Sequence, residues 1–231
     1  MFDVGNALQK LKDAGKKIIA VGDYYTRSSY YLASFADEII LNTDGIVELY
    51  GFGRSRLFYK SLLDKLKIDF NVFRVGTFKS AVEPYIADEM SSAAKEANLG
   101  YLNVLWDSYK DVVAKNRGLT ASEIQNLVDN ADVILTNADE STAEALKSYG
   151  LVDKLLPRTK TRTYLKEIFG ESEDGKTFAR ISGYDYFQLL RSEKEQESSK
   201  DIISVIVARG TIVDGVQPPG MVGGDSTSRL I

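Results

Sequence analysis

Hydrophobic residues along the chain switch repeatedly between two spacings. Apolar residues three and four positions apart predict amphipathic helices over residues 4–14, 28–36 and 54–66. Short apolar runs predict buried strands over residues 17–22, 37–41 and 70–75. The turn signal NTDG at residues 42–45 separates the second strand from the next apolar stretch. Because helices and strands alternate, the pattern indicates an α/β fold.

The second half of the chain carries stronger helix signals. The clearest periodicity ends before Gly118 and consists of Leu102, Leu105, Trp106, Tyr109, Val112 and Val113. Two capping boxes predict further helix starts, at Thr120 with Glu123 and at Ser141 with Glu144. A last amphipathic helix is predicted over residues 159–170.

A polar segment divides the chain into two predicted units. Residues 191–201 are charged and polar, without an apolar side chain, until a new apolar run begins at Ile202. We therefore predict a first domain over residues 1–190, a linker over 191–201 and a second unit over 202–231. The second unit is predicted to open with a buried strand over 202–208, followed by a Gly/Pro-rich loop over 215–224.

Composition narrows the possible chemistry. The 231 residues include no histidine and no cysteine, which excludes a Ser-His-Asp triad and the usual zinc sites. A general base must then be a carboxylate, a lysine or a tyrosine. The net charge of −4 gives no basic surface for nucleic acid, and we expect no cofactor. No apolar run approaches the roughly 20 residues that span a bilayer.

Lys79 is the candidate catalytic residue. It lies between the apolar residues Val75 and Phe78 on one side and Ala81 and Val82 on the other. Apolar surroundings strip water from a lysine and favour its neutral amine, which is a usable general base. Most lysines are solvated surface charges, so the position needs further support.

Three other features are better explained by structure than by catalysis. Ser92 and Lys95 form a Ser-x-x-Lys motif without the partner motifs it requires, so Ser92 is interpreted as a helix N-cap. Ser80 adjoins Lys79 but points in a different direction, so we expect it to help hold the lysine by a hydrogen bond. The tyrosines of residues 24–31 are interpreted as core packing.

The segment around Lys79 closely resembles the catalytic-lysine segment of the signal peptide peptidase A family, also called protease IV in its long bacterial form. That segment is residues 72–85, VFRVGTFKSAVEPY. Three further segments resemble the same family in the same order along the chain: residues 30–37, 59–67 and 221–227. Residues 142–153 resemble a recurring segment of the ClpP/crotonase superfamily.

The resemblance implies a fold and an activity. The fold would be the ClpP/crotonase-like spiral of βα units, incomplete at both ends. The activity would be that of a serine endopeptidase with a Ser/Lys dyad, in which Lys79 is the general base. The nucleophilic serine of that family follows a Ser-Pro-Gly-Gly-Ser pattern that does not occur in these residues. We therefore expect this chain to supply the lysine and to lack the serine.

Partners and location follow from the same resemblance. The substrates would be cleaved signal peptides at the periplasmic side of the bacterial inner membrane, with membrane contact through a segment outside this chain. The protein would form a homo-oligomer, expected to be a tetramer. Two alternatives remain open because fold alone does not decide function: a non-catalytic assembly repeat, or a crotonase-like acyl-CoA enzyme.

Overall fold

The computed structural model describes residues 1–136, 141–196, 205–218 and 220–230. It divides the chain into two compact units, Met1–Phe178 and Ala179–Ile231. In the first unit, the described strands are β1 (Ile19–Tyr25), β2 (Glu38–Val47) and β3 (Lys154–Leu155). Its described helices are α1 (Phe2–Asp13), α2 (Arg27–Ala33), α3 (Lys60–Leu66), α4 (Glu83–Ile86), α5 (Ser92–Arg117), α6 (Ala121–Asp129), α7 (Ala131–Thr136), α8 (Thr142–Ser148) and α9 (Arg158–Phe169).

The strands of the first unit form one parallel sheet in the order β1-β2-β3. Ile19 pairs with Glu38 at one end of the β1-β2 ladder, and Leu41 pairs with Leu155 across β2 and β3. Parallel strands need crossover connections, which α2 and the later helices provide. The α/β fold class predicted from the hydrophobic pattern is therefore confirmed.

The predicted turn at residues 42–45 is a bulge inside β2, so it does not separate two strands. The pairing of Gly22 with Leu41 is followed directly by that of Tyr24 with Ile46, which leaves residues 42–45 outside the ladder. Gly45 fits this bulge because a Cβ there would lie 2.6 Å from the Leu41 Cδ1 atom. The turn signal coincides with the break in pairing, but the predicted turn is wrong because the strand continues through these residues.

The core lies where the sheet meets α2 and α5. Tyr30, Ile39 and Leu41 are fully buried, and Trp106 stacks on Tyr109 at a centroid distance of 5.3 Å. The Tyr30 hydroxyl donates a hydrogen bond of 2.6 Å to the Leu151 carbonyl, which satisfies both groups inside the core.

Most of the tyrosine cluster is core, as predicted. Tyr25, Tyr30 and Tyr31 are buried, whereas Tyr24 is about half exposed.

The predicted helix signals at the later elements are largely confirmed. α5 ends at Gly118, whose φ of 68° lies in the left-handed region that glycine adopts easily. Thr120 and Glu123 form the reciprocal capping box of α6. Ser141 caps α8 by accepting a hydrogen bond from the Glu144 N–H, and α9 matches the helix predicted over residues 159–170.

Two predicted elements near Lys79 were wrong in extent or kind. The helix predicted over 54–66 begins at Lys60, and Leu57, Leu62 and Leu66 are exposed although they were expected to face inward. Residues 70–75 have no strand structure. An apolar run becomes a strand only where a neighbour completes its backbone hydrogen bonds, and no described strand pairs with this segment.

The second unit contains two short parallel strands in its described residues. Its elements are α10 (Gly183–Gln196), β4 (Thr211–Val213), β5 (Met221–Gly223) and α11 (Gly224–Ser228). Thr211 pairs with Met221, so β5 lies inside the predicted loop over 215–224.

The linker predicted over residues 191–201 and the strand predicted over residues 202–208 both need correction. Residues 191–196 of the predicted linker are helical, because α10 continues through them. The rest of the linker lies outside the described residues. Of the strand predicted over 202–208, residues 205–208 are irregular and the others are not described. The predicted domain boundaries themselves stay a prediction.

Candidate functional site

Lys79 lies in an irregular segment between α3 and α4. Its N–H donates to the Gly76 carbonyl at 3.4 Å, and Gly76 has a φ of 111°, which a side chain would strain. The stem of Lys79 folds back over this glycine, because a Cβ at Gly76 would lie 3.7 Å from the Lys79 Cγ and Cδ atoms. The glycine thus shapes the turn that presents the lysine.

The apolar neighbours of Lys79 do not cover it in this chain. The lysine is exposed, and Phe73 and Val75 are 98% and 85% exposed. The expectation of a desolvated lysine is therefore not met within the described residues. The assignment of Lys79 as general base stays a prediction.

The backbone around Lys79 is held by two arginines. The Arg74 Nη1 atom donates to the Lys79 carbonyl at 3.0 Å. The Arg56 guanidinium donates to the next two carbonyls, at 3.0 Å to Ser80 and at 2.6 Å to Ala81. Hydrogen bonds from a charged donor are stronger than neutral ones, so the arginines order a segment that has no regular secondary structure of its own.

Glu83 is a buried carboxylate beside this segment. Its Oε1 atom accepts a 2.5 Å hydrogen bond from the Ser91 hydroxyl and lies 3.7 Å from the Arg74 Nη1 atom. Its Oε2 atom accepts from the Ser91 N–H at 3.3 Å. The Ser91 hydroxyl holds the pKa of the Glu83 carboxyl below its usual range, against the opposing effect of burial, and the Ser91 N–H and Arg74 add to the lowering. The carboxylate is therefore charged and paired at neutral pH.

A second set of contacts joins α3 to the residues around α4. The Tyr59 N–H donates to the Pro84 carbonyl at 2.6 Å, and the Ser61 hydroxyl donates to the Asp88 Oδ1 atom at 2.5 Å. The Ser61 hydroxyl in turn lowers the pKa of the Asp88 carboxyl. The Tyr85 ring stacks on Phe70 at a centroid distance of 4.6 Å. The lysine segment is thus fixed to α3 on one side and to the start of α5 on the other.

The other serines near the site have structural roles. Ser91, and not Ser92 as predicted, is the N-cap of α5, because its hydroxyl accepts from the Ala94 N–H at 3.2 Å. The Lys95 Nζ atom lies 3.0 Å from the Glu89 Oε2 atom, so the lysine of the Ser-x-x-Lys motif is paired with a carboxylate and not with Ser92. In the described residues, Ser80 makes backbone hydrogen bonds but none from its hydroxyl to Lys79, so the expected side-chain contact is not observed.

Sequence reasoning missed the residues that hold Lys79, namely Arg56, Arg74, Glu83 and Ser91. One signal was available for Glu83, a lone carboxylate in the apolar stretch AVEPY at residues 81–85. Charged residues are rarely fully buried unless paired, so this pattern predicts a partner.

Within the described residues, no group of three or more carboxylates could hold a metal ion. No described helix is long and apolar enough to cross a membrane.

Sequence comparisons identify the family of the chain. The profile of peptidase family S49 matches residues 10–168. A protein named Protease 4 from Salmonella typhi is 41% identical over 232 residues, covering 99% of this chain and 36% of the relative. A second Protease 4, from Haemophilus influenzae, is 37% identical over 238 residues, covering 99% of this chain and 37% of the relative. The chain belongs to peptidase family S49, and the resemblance to the protease IV family is confirmed.

A more distant relative comes from a plant. The Serine protease SPPA, chloroplastic, of Arabidopsis thaliana is 24% identical over 215 residues, covering 91% of this chain and 30% of the relative. The chain thus spans about a third of the length of the curated relatives that it matches.

Proposed function

We propose that this chain supplies the general-base lysine of a serine endopeptidase that uses a Ser/Lys dyad. The observation that carries the proposal is Lys79, which lies in a segment resembling the family's catalytic-lysine segment. Arg74 donates to the Lys79 carbonyl, and Arg56 donates to the carbonyls of the next two residues. Membership of peptidase family S49 supports the reaction class. This chain has no histidine or cysteine, so a general base that this chain supplies must be a carboxylate, a tyrosine or a lysine.

The proposed chemistry is acyl transfer through a serine ester. The neutral Lys79 amine takes the serine proton as the oxygen attacks the scissile carbonyl, and the resulting ammonium later protonates the leaving amine. Water then hydrolyses the ester with the same lysine as base. The Ser-Pro-Gly-Gly-Ser pattern that precedes the family's nucleophilic serine does not occur in this chain. The serine and the oxyanion donors of the proposed site would therefore come from further residues.

The rest of the proposal follows the family resemblance. The fold would be a ClpP/crotonase-like spiral of βα units, and the parallel order β1-β2-β3 is compatible with such a spiral. The substrates would be cleaved signal peptides at the periplasmic face of the bacterial inner membrane. The active form would be a homo-oligomer, a tetramer, in which the exposed apolar residues around Lys79 become covered.

One observation favours a second candidate, a non-catalytic assembly repeat. Lys79 is exposed here, so its apolar neighbours do not enclose the amine in this chain. The apolar residues around it would then serve assembly alone. The variants described next separate the two functions.

The test is substitution of Lys79 in the full-length protein. Lys79→Ala should lower kcat for a fluorogenic peptide amide by at least about 10²-fold, because general-base catalysis contributes that much or more. Lys79→Arg should fail equally, since a guanidinium does not deprotonate. Lys95→Ala is the matched control, because Lys95 forms an exposed pair with Glu89, and it should keep wild-type activity. Wild-type hydrolysis by Lys79→Ala would leave assembly as the function.

A further inference from the structure

A series of polar contacts connects Lys79 to the start of α5. The Arg74 Nη1 atom donates to the Lys79 carbonyl at 3.0 Å and lies 3.7 Å from the Glu83 Oε1 atom. The same carboxylate accepts from both the hydroxyl and the N–H of Ser91, which caps α5. Every link from the helix cap to the lysine backbone is therefore a direct contact between named atoms.

The two ends of this set of contacts differ in secondary structure. α5 is 26 residues long and buries Trp106 and Tyr109 in the core, whereas the segment that carries Lys79 has no regular secondary structure. Glu83 is 3% exposed, so its carboxylate is shielded from water, whereas the Arg74 side chain is 37% exposed. The buried Glu83 carboxylate thus contacts both the N-cap of α5 and the arginine that binds the Lys79 carbonyl.

We propose that Glu83 and Arg74 are positioning residues that hold the Lys79 backbone in register with α5 for catalysis. This inference rests on the proposed role of Lys79 as general base. A base must lie within hydrogen-bond reach of the proton that it removes, and a displacement of about 1 Å can cost about 10²-fold in rate. Because Lys79 is exposed and on a turn, its reach depends on how firmly its backbone is held.

A single nitrogen of Arg74 makes both contacts. Nη1 approaches the Lys79 carbonyl and the Glu83 carboxylate, so the planar fork of the guanidinium is not required at this position. An ammonium is also a charged donor and can serve both groups. This distinguishes the proposal from a packing role, because Arg74→Lys keeps the donor while Arg74→Met keeps apolar bulk without it.

The experiment measures kcat and KM of the full-length protein with a fluorogenic peptide amide. Arg74→Met and Glu83→Gln should each lower kcat by about tenfold or more while KM stays within about twofold, because the proton transfer is impaired and substrate binding is not. Arg74→Lys should recover kcat to within about threefold of wild type. Glu89→Gln is the matched control, since Glu89 is an exposed carboxylate in the segment before α5, and it should behave as wild type.

The possible outcomes distinguish the positioning role of Glu83 and Arg74 from the proposed general-base role of Lys79. Activity in Lys79→Ala would overturn the proposed base itself. Loss of activity in Lys79→Ala together with wild-type kcat in Arg74→Met would overturn the positioning role alone. A loss in Arg74→Met that Arg74→Lys does not recover, or one equalled by Glu89→Gln, would also overturn it.

Discussion

At the scale of single residues, the buried Glu83 carboxylate links the chemistry of the site to the stability of the fold. Its pKa is lowered from the ordinary value of 4.5, chiefly by the Ser91 hydroxyl. The unfolded chain therefore takes up a proton at a higher pH than the folded chain does at this position. The contacts of Glu83 stabilise the fold above pH 4.5, and this contribution is lost as the pH falls through the lowered folded pKa.

The pH dependence of stability tests this linkage. We expect Glu83→Gln to lower the free energy of unfolding of this chain at pH 7, because the ion pair with Arg74 and the charged acceptor for Ser91 are lost. The difference from wild type should shrink as the pH falls below 4.5. Urea unfolding at several pH values measures it. A difference that is constant across that range would contradict the assignment, and Glu89→Gln should show little difference at any pH.

The residues around Lys79 also show which parts of the candidate site the sequence could not predict. Lys79 was proposed as the general base because the fourteen residues around it resemble the family's catalytic-lysine segment. The residues that support the segment were not predicted. Arg56 is 24 residues from its partner Ser80, and Ser91 is 8 residues from its partner Glu83. Such contacts depend on how irregular segments pack, and hydrophobic spacing carries no information about them.

At the scale of elements, the bulge of β2 leaves no space for a side chain at Gly45. A Cβ at Gly45 would lie 2.6 Å from the Leu41 Cδ1 atom and 2.8 Å from the Asp23 carbonyl oxygen. The backbone oxygen cannot turn aside as a flexible side chain does. The Asn42 side chain closes the bulge by donating to the Asp23 Oδ1 atom at 2.8 Å.

Substitution of this glycine should be costly. Gly45→Ala is expected to lower the free energy of unfolding by roughly 1–3 kcal/mol, the usual cost of overpacking. Gly53→Ala is the matched control, because no atom lies within 4 Å of a Cβ there. It should change the free energy of unfolding by less than about 1 kcal/mol. Urea unfolding of both variants provides the comparison, and equal stabilities would show that the bulge relaxes without cost.

Elements with local signals were predictable, and those that depend on distant partners were not. The capping box at Thr120 and the glycine stop at Gly118 fix helix ends through hydrogen bonds within a few residues. The apolar run over 70–75 has no such local signal. It was predicted as a strand from hydrophobicity alone, yet a strand also needs a paired neighbour.

At the scale of the whole molecule, apolar side chains are concentrated around the lysine segment. The exposed ones between α3 and α4 and on α3 itself are Leu62, Leu66, Ile68, Phe70, Phe73, Val75 and Phe78. Large exposed apolar patches are typical of interaction sites, so we expect these residues to be covered in the assembled protein. The Protease 4 relatives are nearly three times as long as this chain, and in the proposed catalytic unit further residues would cover these side chains.

The proposed division of the active site between this chain and further residues gives a last expectation. A lysine base without an aligned serine has only water to activate, and the advantage of orientation is lost. We therefore expect residues 1–231 alone to hydrolyse no peptide and to resist serine-directed acylating probes. A protein extended to the length of its relatives should be labelled on a serine outside residues 1–231. Mass spectrometry locates the label, and modification of Ser80 or Ser92 in the isolated chain would show that this chain holds a complete site.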